Sequence, residues 1–209
     1  MKFIKRGVII GFLTLLFVCF SFIEKNETVQ YESNKEIKVA YFASGCFWCV
    51  EAVFESLHGV EEAVSGYAGG HTNNPTYQST GSGKTGHAET VAVYYNPKKI
   101  SFKTLVTVYF GSHNPTTVNG QKPDFGSQYR SIAFYKTDLQ RKIIINAITE
   151  LSKIYNNKIA TEVTKFTKFY IAEDYHQNFE RRNPNHPYVR SVSIPRLNNF
   201  KRKFPELLK

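Results

Sequence analysis

Cys46 and Cys49 stand three residues apart, and the only other cysteine of the chain, Cys19, lies in an apolar N-terminal stretch. With three cysteines in all, a multi-bridge disulfide scaffold is excluded, and one C-x-x-C pair is left to explain. Cys46 follows a short β-prone run and Ser44-Gly45, and it opens a segment where Phe47, Val50, Val53, Phe54 and Leu57 recur at helical spacing. A sulfur at the head of a helix meets unsatisfied N–H groups and the positive end of the dipole, both of which favour thiolate over thiol. Cys46 is therefore the predicted nucleophile. Cys49 lies one helical turn further on nearly the same face, so the pair is able to form a disulfide. Tetrahedral zinc needs two further ligands, and the six histidines show no H-x₃₋₅-H pairing, so no metal is expected. Structural cysteines rarely occupy a strand-to-helix turn, which leaves thiol redox chemistry. Phe47 and Trp48, between the two sulfurs, offer an apolar pocket for a methyl or thioether group.

The elements that must hold these residues alternate between strand and helix. Residues 39–43 read as a strand and those after Cys46 as a helix. ETVAVYYN (89–96) is β-branched and aromatic, and a helix capped by Ser101 follows to about Ser112. QYRSIAFY (128–135) reads as a strand. Residues 138–155 form the longest helix, with Ile143, Ile144, Ala147, Leu151 and Ile154 on its apolar stripe. A strand near 162–171 and a short helix over 173–182 complete the series. Such alternation implies a sheet with helices packed on it. Two stretches fit no element, 66–86 with its six glycines and 113–127, and long structureless loops inside a domain are usually functional. The tail from Asn183, with four prolines, is expected to wrap the surface and end in a short basic helix.

The 209 residues, 42% hydrophobic and 21% charged, have an ordinary globular composition and suffice for one well-buried core. The net charge of +10 sits at the two ends: Lys2, Lys5 and Arg6 at one, and eight Lys or Arg against Glu206 alone from Arg181 onward at the other. The span between is balanced, so no nucleic-acid partner is expected. A basic start followed by the uncharged apolar run 7–23 has the pattern of an export signal, and at 17 residues it lies between a signal peptide and a membrane-spanning helix. Residues 1–23 are thus expected to be a signal peptide or N-terminal membrane anchor, 24–38 a polar tether and 39–209 the catalytic domain. The domain is expected outside the cytoplasm, periplasmic or otherwise extracytoplasmic, touching the membrane only through 1–23.

Six motifs stand in order along the domain: GCFWCVE (45–51), GYAGG (66–70), NPTY (74–77), TGHAE (85–89), PDFGSQYRS (123–131) and AEDYHQ (172–177). In this register the chain resembles the class A peptide methionine sulfoxide reductases from about Val39 to Tyr188. The resemblance implies an α/β (α+β) two-layer sandwich, ferredoxin-like, with a mixed sheet, packed helices and long active-site loops. It also implies reduction of the S epimer of methionine sulfoxide, free or in proteins, as repair after oxidative damage. Residue by residue, Cys46 matches the family's nucleophile and Glu89 its acid. Tyr77 and Tyr129 match the phenols that hydrogen-bond the sulfoxide oxygen, Asp124 matches the loop carboxylate, and Phe47 and Trp48 match the walls that receive the methyl group. The chemistry needs an acid, since attack on sulfur builds negative charge on an oxygen that leaves only when protonated. Glu89 must then be protonated when substrate binds, which calls for burial.

Attack leaves a sulfenic acid on Cys46, which a second thiol resolves to a disulfide. Many relatives use tail cysteines for this, but no cysteine follows position 49 here, so either Cys49 or an external thiol resolves. A thioredoxin-like dithiol donor would then reduce the Cys46–Cys49 bridge, with no bound cofactor, in an enzyme expected to act as a monomer. Smaller departures are His113-Asn114-Pro115, where relatives often carry Asp before Pro, and Lys122, where Gly is common. Two other classes remain open on the residues alone. A general thiol-disulfide oxidoreductase would need neither Glu89 nor the tyrosines, and a membrane-tethered binding module would work through its basic tail.

Overall fold

The computed structural model describes residues 37–156 and 158–209. The expected segment 1–23 and nearly all of the tether lie outside them. The chain runs β1 (Lys38–Ser44), α1 (Phe47–Glu55), β2 (Val60–Ala68), α2 (Tyr77–Gly81), β3 (Ala88–Tyr95) and α3 (Phe102–Gly111). A small hairpin of β4 (Gly120–Gln121) and β5 (Asp124–Phe125) follows, then β6 (Ser131–Tyr135), α4 (Asp138–Ile154), β7 (Glu162–Lys165), β8 (Phe169–Ile171), α5 (Phe179–Arg182) and α6 (Ile194–Lys203). The main sheet has the order β7-β6-β1-β3-β2-β8. Only the β6–β7 pair is parallel. Its central strands, with α1 crossing from β1 to β2 and α3 from β3 to β6, form the split βαβ arrangement of a ferredoxin-like sandwich. Among the described residues no helix is long and apolar enough to cross a membrane.

Alternation along β1 assigns the faces. Phe42 points toward the helices and stacks on Phe54 of α1 (centroids 5.1 Å apart) and Tyr109 of α3 (5.0 Å). Ala43 points the other way, into a smaller cluster with Ala68, Ala88, Ile132 and Phe134. The small side chains on that face let the sheet curl. Lys165 ends β7 at one edge and Phe169 starts β8 at the other. Four peptide steps span at most roughly 14 Å, whereas a flat sheet would separate these edges by roughly 24 Å. Closure of the curl is visible at Gly69, where a Cβ would lie 3.2 Å from the Phe134 ring. The strand expected over 162–171 is therefore two strands on opposite edges, joined by Phe166, whose ring stacks on Tyr41 at 3.8 Å.

Other differences have similarly local causes. Residues 60–68 carried no expected element, because two glutamates and the glycine motif mask the alternation, yet they form β2. A side chain at Gly66 would strike the Tyr170 carbonyl at 2.3 Å, so the glycine serves the close approach of β8. Within the expected loop 66–86, Thr76 caps α2 by accepting from Ser79 N–H. The strand expected over 128–135 begins only at Ser131, since Ser127–Tyr129 turn as a 3₁₀ segment. The helix expected over 173–182 is broken at Asn178, in the left-handed region (φ 54°), whose N–H is taken by the Glu51 carboxylate. Thr137 caps α4, but its stripe packs only as far as Leu151, and Ile154 at the last turn is exposed.

The tail does not wrap the surface. It passes through a π turn (Val189–Ser193) into α6, burying Val189 and Ser193 and setting Phe200 in the main core. It ends with Leu208 bridged to Leu57 and with the Leu207 carbonyl accepting from His58 N–H. The basic helix expected at its end is α6, with Lys201, Arg202 and Lys203 in the last turn.

Candidate active site

The β1–α1 turn is built around Gly45, at φ +88°, where a Cβ would lie 2.8 Å from the Gln121 side chain of β4. Gln121 in turn accepts from Asn114 N–H and donates to the Asn114 carbonyl at 2.7 Å, so the 113–127 loop is packed onto the turn. Cys46 is the residue preceding α1, and its carbonyl accepts from Cys49 N–H at 3.2 Å. Cys46 and Cys49 are free thiols, both buried.

Glu89 lies on β3 opposite Tyr67 of β2, facing the helices. It is 3% exposed, and its Oε2 accepts from the backbone N–H of Phe47 at 3.0 Å. The acid is thus docked on the first amide of the helix that Cys46 opens. Burial pushes its carboxyl up to about 8, the Phe47 N–H only partly opposing this. Glu89 therefore holds a proton at neutral pH, as the chemistry requires. Tyr77 and Tyr129 lie close to each other and to Glu89, and burial followed by Glu89 raises both phenols.

The aromatic wall forms around Phe47. Its ring lies 6.3 Å from Trp48, 5.9 Å from Tyr67, 6.3 Å from Tyr77 and 5.0 Å from His176. Trp48 stacks flat on Phe179 at 3.7 Å and donates its indole N–H to His176 Nδ1 at 3.1 Å. That bond fixes the neutral His176 tautomer with its proton on Nε2, and burial lowers the imidazole's basicity. Glu173 accepts from the Tyr67 hydroxyl (2.8 Å) and from Tyr77 N–H (2.9 Å), tying α2 and β2 together at the mouth of the site.

Asp124, half-buried in β5, accepts from the Tyr188 hydroxyl, and burial raises its carboxyl. On the far side of the cysteines, Ser193 Oγ lies 3.0 Å from Cys49 Sγ, and Tyr188 Oη lies 4.0 Å from the same sulfur. Arg196 donates to the carbonyls of Ser112 (2.9 Å) and Ser44 (3.0 Å). The two sulfurs meet different surroundings. Burial pushes the Cys46 thiol well up, and the Trp48 N–H only partly offsets it. Cys49 is the member pushed down, first by a hydrogen bond from Cys46 and then by Arg196, Ser193 and Tyr188, against its burial. The helix N-terminus alone does not outweigh desolvation.

Every residue singled out in the sequence thus converges here: Cys46, Cys49, Glu89, Phe47, Trp48, Tyr77, Tyr129 and, across Tyr188, Asp124. Sequence reasoning assigned no role to Glu173 or His176, although both stand in a quoted motif. It also passed over Tyr188, Ser193 and Arg196, because a proline-rich basic tail reads as surface. Glu51 in the first motif was passed over too; it is buried and accepts from Ser65 and Asn178, bracing α1 against β2. The departures are local: His113 bridges the Tyr109 carbonyl (2.7 Å) and Ser131 Oγ (2.8 Å), and the Lys122–Pro123 peptide is cis. Among the described residues no three His, Cys, Asp or Glu side chains converge to hold a metal ion.

Two buried thiols beside a proton-bearing carboxyl and an aromatic wall, on a ferredoxin-like sheet, are the parts that a thiol-dependent reductase needs. The family model for peptide methionine sulfoxide reductase matches residues 38–208. The chain is 44% identical to peptide methionine sulfoxide reductase MsrA 1 of Rhodopirellula baltica, over 88% of this chain and 96% of that one. It is 46% identical to the MsrA of Pasteurella multocida, over 81% and 98%. Among solved structures, reduced Mxr1 of Saccharomyces cerevisiae superposes with a TM-score of 0.69 at 36% identity, covering 73% of this chain and 88% of Mxr1. Mxr1 has also been solved in complex with Trx2, a match with a TM-score of 0.52 at 27% identity, covering 73% and 91%. The chain belongs to the peptide methionine sulfoxide reductase family, and it is an oxidoreductase that reduces methionine sulfoxide.

Proposed function

We propose that this enzyme reduces the S epimer of methionine sulfoxide, in proteins or free, with Cys46 as nucleophile, Glu89 as acid and Cys49 as resolving thiol. The observation that carries the assignment is the docking of a protonated, buried Glu89 on the Phe47 N–H, beside the sulfur that must attack. The sulfoxide methyl enters against Phe47 and Trp48, while its oxygen is received by the Tyr77 and Tyr129 hydroxyls. Cys46 sulfur attacks the sulfoxide sulfur as its own proton passes to Cys49, Glu89 protonates the oxygen, and that oxygen is transferred to Cys46. Methionine leaves, with Cys46 as sulfenic acid, Cys49 as thiol and Glu89 as carboxylate. Cys49 then returns its proton through Glu89 and attacks the sulfenic sulfur. The S–O bond breaks, the S–S bond forms, and the oxygen departs as water. A thioredoxin-like dithiol donor reduces the bridge, a reading supported by the Mxr1 complex with Trx2.

The test is methionine release by the purified chain from separated epimers with a dithiol reductant. Turnover of the R epimer alone, or none with Cys46→Ser and wild type alike, refutes the assignment. Export through 1–23, membrane contact confined to that segment, the tether 24–38 and a monomeric state belong to the same reading. They rest on the basic-then-apolar start of the chain. Fractionation of cells expressing the full chain tests the location, and light scattering the monomer.

A further inference from the structure

The catalytic cycle above leaves Ser193 and Arg196 without a task, although both close on the cysteine pair. Ser193 is fully buried, and its Oγ stands 3.0 Å from Cys49 Sγ. It reaches that sulfur together with Tyr188 because residues 189–193 form a π turn. In an α-helix at about 100° per residue, positions five apart would point roughly 140° away from each other. The wider turn brings them to one side. Tyr188 donates its hydroxyl proton to Asp124, so Ser193 is the hydroxyl free to donate to sulfur. The Arg196 guanidinium is held by the Ser112 carbonyl, the Ser44 carbonyl and Ser44 Oγ (3.2 Å), all uncharged. Among the described residues no ion pair includes it. A fixed cation without a direct ion-pair partner therefore lies directly behind the Ser44-Gly45-Cys46 turn, its charge felt by Asp124 and Glu180.

We propose that Ser193 and Arg196 prepare Cys49 for resolution: Ser193 donates a hydrogen bond to its sulfur, and Arg196 supplies the fixed positive charge against which the thiolate is held. The proposal rests on the reading of Cys46 as the oxygen acceptor and Cys49 as the resolving thiol. The step assisted is attack of the Cys49 thiolate on the Cys46 sulfenic sulfur, forming S–S, breaking S–O and releasing the oxygen as water after it takes a proton. Ser193 touches a reacting atom; Arg196 acts through the field it sets. The titratable and charged groups facing Cys49 are Cys46 before α1, Glu89 on β3, Glu180 on α5, and Tyr188 and Arg196 on the tail. Glu180, raised to about 7, becomes anionic around neutral pH, Glu89, raised to about 8, only above it, and each then opposes a second negative charge. Arg196 is the only cation among these groups.

The experiment follows disulfide formation after one equivalent of the S sulfoxide is added to the reduced full chain. Sulfenic acid is trapped and the bridge counted by mass spectrometry across pH, with thiolate absorbance followed on the same samples. Ser193→Ala and Arg196→Gln are each expected to move the inflection of the resolving step upward by about one pH unit. At pH 5, below both positions, that slows bridge formation about tenfold. Arg196→Lys, which keeps the charge, is expected to restore the inflection. An inflection that stays at its wild-type position in both Ser193→Ala and Arg196→Gln overturns the proposal, whatever happens to the rate. Failure of the wild type to form methionine, or to form the bridge, would instead strike the functional reading on which the proposal depends.

Discussion

Glu89→Gln removes one proton and little else. The amide keeps the length of the side chain, and its oxygen still accepts from Phe47 N–H, so the β3–α1 contact survives. A positioned general acid contributes ~10²–10⁴-fold, and methionine formation in a single turnover is expected to fall by that factor. With the carboxyl at about 8, roughly nine-tenths of the enzyme carries the proton at pH 7. The wild-type rate should therefore decline as pH rises through about 8, and the variant should lose that limb. Stability provides the cross-check. Between 4.5, the ordinary carboxyl value, and about 8 the folded chain retains a proton that the unfolded chain has released. Native stability consequently falls as pH rises through this window. At roughly 1.4 kcal/mol per unit, the full gap is worth a few kcal/mol at pH above 8. Gln carries no such cost, so chemical denaturation should find the variant more stable than wild type at pH 8, with the difference shrinking toward pH 5. An unchanged single-turnover rate, or a destabilised variant whose deficit does not vary with pH, would refute the reasoning.

Cys49→Ser should release about one equivalent of methionine and then stall with dithiol protein donors; sustained turnover at the wild-type rate would remove Cys49 from the cycle. Gly45→Ala forces a left-handed residue into contact with Gln121 at 2.8 Å. It should cost ~1–3 kcal/mol in melting experiments, and by displacing Cys46 it should lower the single-turnover rate. Phe200→Ala, emptying a buried position where α6 meets the core, should cost ~3–5 kcal/mol in denaturant titrations. A loss below 1 kcal/mol would show that the tail is not part of the folded unit.

The parts legible in the sequence are those whose signal is local. The Cys46 turn, the cap at Ser101 and the stripe of α4 as far as Leu151 each rest on a few neighbouring residues, and each is present. The site residues were legible through the motifs, whose register brought together side chains from α1, α2, β3 and the 113–127 loop. What escaped depends on distant partners. Residues 60–68 are a strand because β3 pairs with them and because Gly66 admits β8, neither of which their own glutamates reveal. Residues 162–171 form two strands because the sheet curls over three alanines, a property of β1, β2 and β3 rather than of that segment. The tail reads as polar and proline-rich, yet only Phe200, Val189 and Ser193 need turn inward for it to become core.

The ionisation of the two cysteines follows the same distinction. A helix N-terminus is visible in a sequence, and by itself it favours a Cys46 thiolate; burial beside Glu89 is not visible, and it pushes the thiol the other way. That push suits the proposed chemistry. Charge kept on Cys49 leaves Cys46 and Glu89 both protonated before substrate arrives, so an apolar pocket lined by Phe47 and Trp48 holds no anion of its own to repel the sulfoxide oxygen. The acid's proton is already in place. The charge that makes this possible sits behind the turn, on an arginine contributed by the last helix of the chain. With the two thiols one turn apart at the head of α1, the tail is free to pack, and it forms the wall behind Cys49.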